Sequence, residues 1–173
     1  MLPRLLALLL LSAVPALSAD WWHYDNSRYG YSIELPGEFG MALLTDHSDG
    51  LTLTPPDQSA RLLVFGTNML NGNLDAQARV RMVLARQDGW LISYSKFGSK
   101  GVSFSGIRGD RIVYGRGVAL CNGGAAFFQM DYPKAAMQRY DATVMRLARS
   151  LHPTEKCTSP SGKQVFKDSW TTG

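Results

Sequence analysis

The sequence predicts an α+β domain, one antiparallel β-sheet covered by helices. Three observations lead there. Between residues 90 and 132, the runs 94–97, 102–104, 111–114 and 126–130 are β-branched, aromatic or alternating, and Gly98, Gly101, Gly109 and the Asn122-Gly123-Gly124 turn separate them. Two other stretches, near residues 74–87 and 134–151, repeat apolar residues at steps of three and four, the spacing of a helix. Ahead of both, turn-forming clusters alternate with short strand-like runs, the pattern of hairpins.

Residues 1–19 carry one basic residue, Arg4, then an apolar run from Leu5 to Leu11, then small residues at Ser18 and Ala19. This is the form of a secretory signal peptide cleaved after Ala19, with a cut after Ala16 as the alternative. A membrane span needs roughly 20 apolar residues, and this run is broken by Ser12 and Pro15 before Asp20. With no cysteine there to accept a lipid, the expectation is a soluble exported chain, periplasmic or secreted. The mature part, residues 20–173, has the length of one domain on a prior of roughly 100 to 200 residues. Its formal charge falls from +4 to +3 with the loss of Arg4, and the basic residues form no dense run. Nucleic-acid binding is not expected.

In chain order, residues 22–39 open with aromatics, turn between Asn26 and Gly30, and continue as the alternating strand 31–35 before Pro36-Gly37. A first hairpin follows from this. Residues 41–44 and 51–54, joined by the polar turn 46–50, make a second. Leu62, Leu63, Val64 and Phe65 are contiguous, which suits a strand covered on both faces in the middle of the sheet. Leu74 to Gln87 reads as a helix capped by Asn73 and stopped at Gly89. Ala76, Val80, Val83 and Leu84 are its expected sheet-facing stripe, with Arg79, Arg81 and Arg86 away from it. Pro133 suits the first turn of a second helix, whose Met137, Tyr140, Val144, Leu147 and Leu151 form one stripe ended by Pro153. The single domain is therefore expected over residues 20–153. Residues 154–173 are a polar tail, partly disordered beyond Cys157.

Cys121 and Cys157 are the two cysteines, both in the exported part. An oxidising compartment favours a disulfide between them. A reactive thiol or a metal site is the alternative, but neither cysteine has a Cys-x-x-Cys neighbour and only His152 lies near either in sequence.

The stretch Asp46 to Gly50 resembles a calcium loop but lacks its alternating ligands and closing Glu, so a turn is expected. His23, His47 and His152 show no metal-ligand spacing, and no Gly-x-Ser-x-Gly elbow occurs. A Ser/His/Asp triad could still assemble in space. Asn122-Gly123-Gly124 is followed by no helix and reads as a hairpin turn, not a phosphate cradle. The helix arginines suit either a solvated face or an acidic partner or lipid surface. Trp21, Trp22 and Tyr24 are candidate partner-binding residues, since exposed aromatics supply large contact area; packing of Trp22 and Tyr24 into the core is the other reading.

The order of elements, with residues 24–39 (YDNSRYGYSIELPGEF), 60–66 (ARLLVFG) and 121–133 (CNGGAAFFQMDYP), resembles the PsbP-like α/β/α sandwich and, more closely, is similar to small exported bacterial proteins of unknown function. The resemblance implies that fold, brings no catalytic set or cofactor, and implies a protein-binding or assembly role. The expected function is thus an exported, monomeric, non-enzymatic domain that binds a protein partner in the cell envelope without membrane insertion. A small-ligand binder or a hydrolase is the alternative.

Overall fold

The computed structural model describes residues 20–44, 49–69, 72–98 and 101–155; the signal-peptide reading, the 45–48 turn with His47, and residues 156–173 with Cys157 lie outside it. Among the described residues, ten strands and two long helices follow in order: β1 (Trp21–Asn26), β2 (Tyr31–Pro36), β3 (Met41–Leu44), β4 (Gly50–Thr54), β5 (Arg61–Asn68), α1 (Leu74–Gln87), β6 (Leu91–Gly98), β7 (Gly101–Arg108), β8 (Arg111–Ala119), β9 (Gly124–Pro133), α2 (Met137–Ser150) and the two-residue β10 (His152–Pro153). Strands β3-β4-β5-β9-β8-β7-β6 form a seven-stranded sheet in that order, all neighbours antiparallel. The first hairpin stands apart as a three-stranded sheet, β1-β2-β10. The sequence predicts one sheet; the second is not visible in it, because β10 is only two residues long and pairs His152 with Ser32 across 120 positions of the chain.

Alternation along β9 sorts the core into two layers. Ala126, Phe128, Met130 and Tyr132 point to one face, where they meet Ile33 and Leu35 of β2, Leu62 and Val64 of β5, and Tyr140, Val144 and Leu147 of α2. Ala125 and Phe127 point to the other face, against Ala78 of α1 and Val102 of β7. The helices therefore lie on opposite faces, and the architecture is the α+β sandwich expected. The α2 stripe holds at Tyr140, Val144, Leu147 and Leu151, all buried, while Met137 is 49% exposed.

The α1 stripe does not hold. Ala78, Met82 and Ala85 face the sheet, and the expected Val80, Val83 and Leu84 face solvent. The reason lies in the sheet beneath. Gly115 and Gly117 of β8 leave room for the rings of Phe104 and Phe127, which lie where a side chain at those positions would project. A flat aromatic floor accepts a close helix only through small residues, so Ala78 and Ala85 outcompete the valines. Arg81, read as pointing away, is half-buried with its guanidinium 4.4 Å from the Phe65 ring centre.

Each face is only half covered. α1 packs on β6, β7 and β8, whereas α2 packs on β2 and β9. On the α2 face Val118 of β8 is still buried in the core and Ile112 and Tyr114 pack against it, whereas β7 and β6 carry Ile107, Leu91 and Tyr94 out into solvent.

Candidate functional site

Two places gather side chains with chemistry or contact potential. The first is the outer face of the three-stranded sheet. The β1–β2 register sets Asp25 opposite Ser32 and His23 opposite Glu34, and β10 brings His152 to the other side of Ser32. His23 Nε2 lies 2.7 Å from Ser32 Oγ and 3.1 Å from Asp25 Oδ1. Asp25 is held below the usual carboxylate range chiefly by the Ser32 hydroxyl.

A serine and an aspartate thus lie within hydrogen-bond reach of a histidine, yet the geometry is not a nucleophile relay. A relay sets the acid on one ring nitrogen and the hydroxyl on the other; here both approach Nε2. Ser32 is also fully buried beneath His23, so no substrate carbon can reach its oxygen. The cluster acts as a polar brace between β1 and β2. Beside it, Arg146 of α2 donates from Nε to Glu34 Oε2 at 2.7 Å, and Ser150 Oγ accepts from the Glu34 backbone N–H at 3.1 Å. These contacts pin α2 to the hairpin and form, with His23, Arg149 and His152, an open surface cleft. Among the described residues no group of three or more His, Cys, Asp and Glu could hold a metal ion.

The aromatic residues of β1 separate by alternation. Trp21 packs against the core edge beneath the Arg146 guanidinium at 4.3 Å. Tyr24 packs on the core and on Tyr31, with ring centres 6.1 Å apart. Trp22 is 39% exposed. Trp22 and Tyr24 share one face of β1, with ring centres 6.2 Å apart, while Trp21 points the other way, so the three do not form one patch. Cys121 lies in the β8–β9 turn, its Sγ 3.3 Å from the Glu155 carbonyl oxygen, two residues before Cys157.

The second place is the uncovered part of the α2 face. Cross-strand pairing aligns Tyr132, Ile112, Ile107 and Leu91 in one row from β9 to the β6 edge. Burial fades along it: Tyr132 is buried, Ile107 is 38% exposed and Leu91 70%. A parallel row runs from buried Met130 through Tyr114 and Ser105 to Tyr94, 48% exposed. Burial and then the Asp141 charge push the Tyr132 phenol up. Met137 and Met145, one turn either side of Asp141, are both about half exposed. No residue in these rows was singled out from the sequence, where their alternation signalled a strand and not the width of its cover.

No family model matches the chain and no curated protein matches it. Among solved structures, it is similar to the solution structure of cyanobacterial PsbP (CyanoP) from Synechocystis sp. PCC 6803, with a TM-score of 0.58 and 12% identity over 83% of this chain and 98% of that one. At that identity the likeness is one of architecture, and the chain has a PsbP-like fold.

Proposed function

We propose that the chain is an exported, non-catalytic accessory domain, periplasmic or secreted and monomeric by itself, that binds a protein partner or assists assembly in the cell envelope. The observation that carries this reading is the apolar row Tyr132, Ile112, Ile107 and Leu91, which continues the core out of the fold and into solvent. Contiguous exposed apolar surface of this kind marks interaction sites in soluble proteins. Trp22 remains a candidate contact on a separate edge.

The test is in-cell crosslinking and pull-down from the envelope fraction, using the mature chain, residues 20–173, beside a Leu91→Asp/Tyr94→Asp variant. One reproducible protein captured by the wild type and lost with the variant is expected, with an unchanged melting temperature because both side chains are exposed. If nothing specific is captured by the wild type, or the variant captures it equally well, this reading fails.

A further inference from the structure

Two groups of arginines differ in their partners. Arg28, Arg111, Arg139 and Arg146 each meet a carboxylate, at 2.5 to 3.7 Å. On and beside α1, Arg79, Arg81, Arg86 and Arg108 meet none at ion-pair distance among the described residues. Three of these four lie on aromatic rings, as Arg28, Arg139 and Arg146 do beside their ion pairs: Arg79 at 4.6 Å from the Phe97 centre, Arg81 at 4.4 Å from Phe65 and Arg108 at 4.4 Å from Trp90. Arg108 also donates to the Asp88 carbonyl oxygen at 2.8 Å. Between these cations, α1 turns Val80, Val83 and Leu84 to solvent at 36, 49 and 44% exposure. The acids of the helix, Asp75 and Asp88, sit at its two ends, so the middle of the surface carries positive charge around an apolar strip.

A charge held against a desolvation cost needs a reason. Arg81 Nε is buried without a hydrogen-bond partner, and burial lowers the pKa of its guanidinium. A guanidinium stacked on a ring has given up much of its side-chain freedom, and that of Arg79, at an exposed position, can still meet a planar carboxylate edge-on. That preorganisation reduces the ordering cost when a folded partner brings carboxylates to fixed positions. A fluid anionic bilayer gains nothing from fixed guanidiniums, and short valines insert poorly into it.

We propose that the solvent face of α1 is a docking surface for a protein partner whose contact area is acidic, with Asp or Glu carboxylates bordering a short apolar strip. This rests on the reading of the chain as a partner-binding domain, and it adds a second surface on the opposite face of the sheet from the Leu91 row.

The experiment inserts a photocrosslinking p-benzoylphenylalanine at Val83 or, separately, at Leu91 of the full chain in the cells that make it, and sequences the crosslinked partner peptide. The expected result is a Val83 adduct whose contact peptide contains Asp or Glu, with its yield falling roughly tenfold in an Arg79→Glu/Arg86→Glu background, as reversal of two interfacial charges implies. Both substitutions are at exposed positions, and a melting curve confirms that the fold is kept. Adducts from Leu91 but not Val83 overturn this inference and leave the partner-binding reading standing; adducts from neither site overturn both. A contact peptide without acidic residues, or a yield indifferent to charge reversal, also overturns it. So does co-sedimentation with phosphatidylcholine–phosphatidylglycerol vesicles that the double variant abolishes, which would assign the surface to lipid.

Discussion

The Glu34–Arg146 contact shows what one side-chain pair does here. Arg146 holds Glu34 with one nitrogen while its guanidinium covers Trp21, so a single side chain of α2 fastens both strands of the first hairpin. The hydrogen bond from Arg146 is the largest influence on Glu34 and lowers its pKa from the ordinary 4.5. In the unfolded chain that carboxyl takes up its proton at higher pH than in the folded one, so folding stability rises with pH through this window. The contribution is present above the unfolded value and lost as pH falls through the folded one. Glu34→Gln is therefore expected to melt below the wild type at about pH 6, with the gap closing towards about pH 3. Melting temperatures across that range check it: a gap that stays constant would assign the loss to packing alone. Asp25 and Asp57, also held low by hydroxyl hydrogen bonds from Ser32 and Ser59, add to the wild type's acid sensitivity in both proteins and cancel in the comparison.

At the scale of elements, α1 is the informative case. Its ends were legible because caps are local chemistry: Asn73 Oδ1 accepts from the Ala76 N–H at 3.1 Å, and Gly89 takes the left-handed conformation, with φ +87°, that stops the helix. Asn73→Ala is expected to cost about 1 kcal/mol, read as a shifted urea midpoint with an unchanged slope; no shift would mean that packing alone fixes the start of the helix. Its orientation was not legible. Two stripes compete on α1, Ala78/Met82/Ala85 and Ala76/Val80/Val83/Leu84, and hydropathy favours the larger residues. The choice depends on the floor that Phe104 and Phe127 make over Gly115 and Gly117, which comes from strands far along the chain. The hairpins and the α2 stripe were readable because turn residues and a strong apolar period fix them locally. The His23–Ser32 contact was not, since it exists only through the β1–β2 register. Nor was the Leu91 row, because how far a helix covers a sheet is a property of the pair.

At the scale of the molecule, the question is what holds the small sheet to the large one. Three chain segments converge at one corner. Asn122 of the β8–β9 turn donates from Nδ2 to the Tyr29 carbonyl at 3.1 Å, the Thr154 N–H donates to the Gly30 carbonyl at 3.0 Å, and Cys121 Sγ lies 3.3 Å from the Glu155 carbonyl oxygen. The chain after β10 thus runs past Cys121 as it approaches Cys157. A disulfide between the two would close a loop of about 36 residues and join both sheets to the end of α2. Restricting the unfolded chain over that length is worth roughly 4 kcal/mol in the loop-entropy treatment, less if the bond is strained. Cys157→Ser is expected to melt well below the wild type in oxidising buffer, and reductant should bring the wild type down to the same temperature. Equal melting temperatures for both proteins, with and without reductant, would leave the corner to its hydrogen bonds. A loss in the variant that reductant fails to reproduce would show that Cys157 acts as a packed thiol and not as half of a bridge.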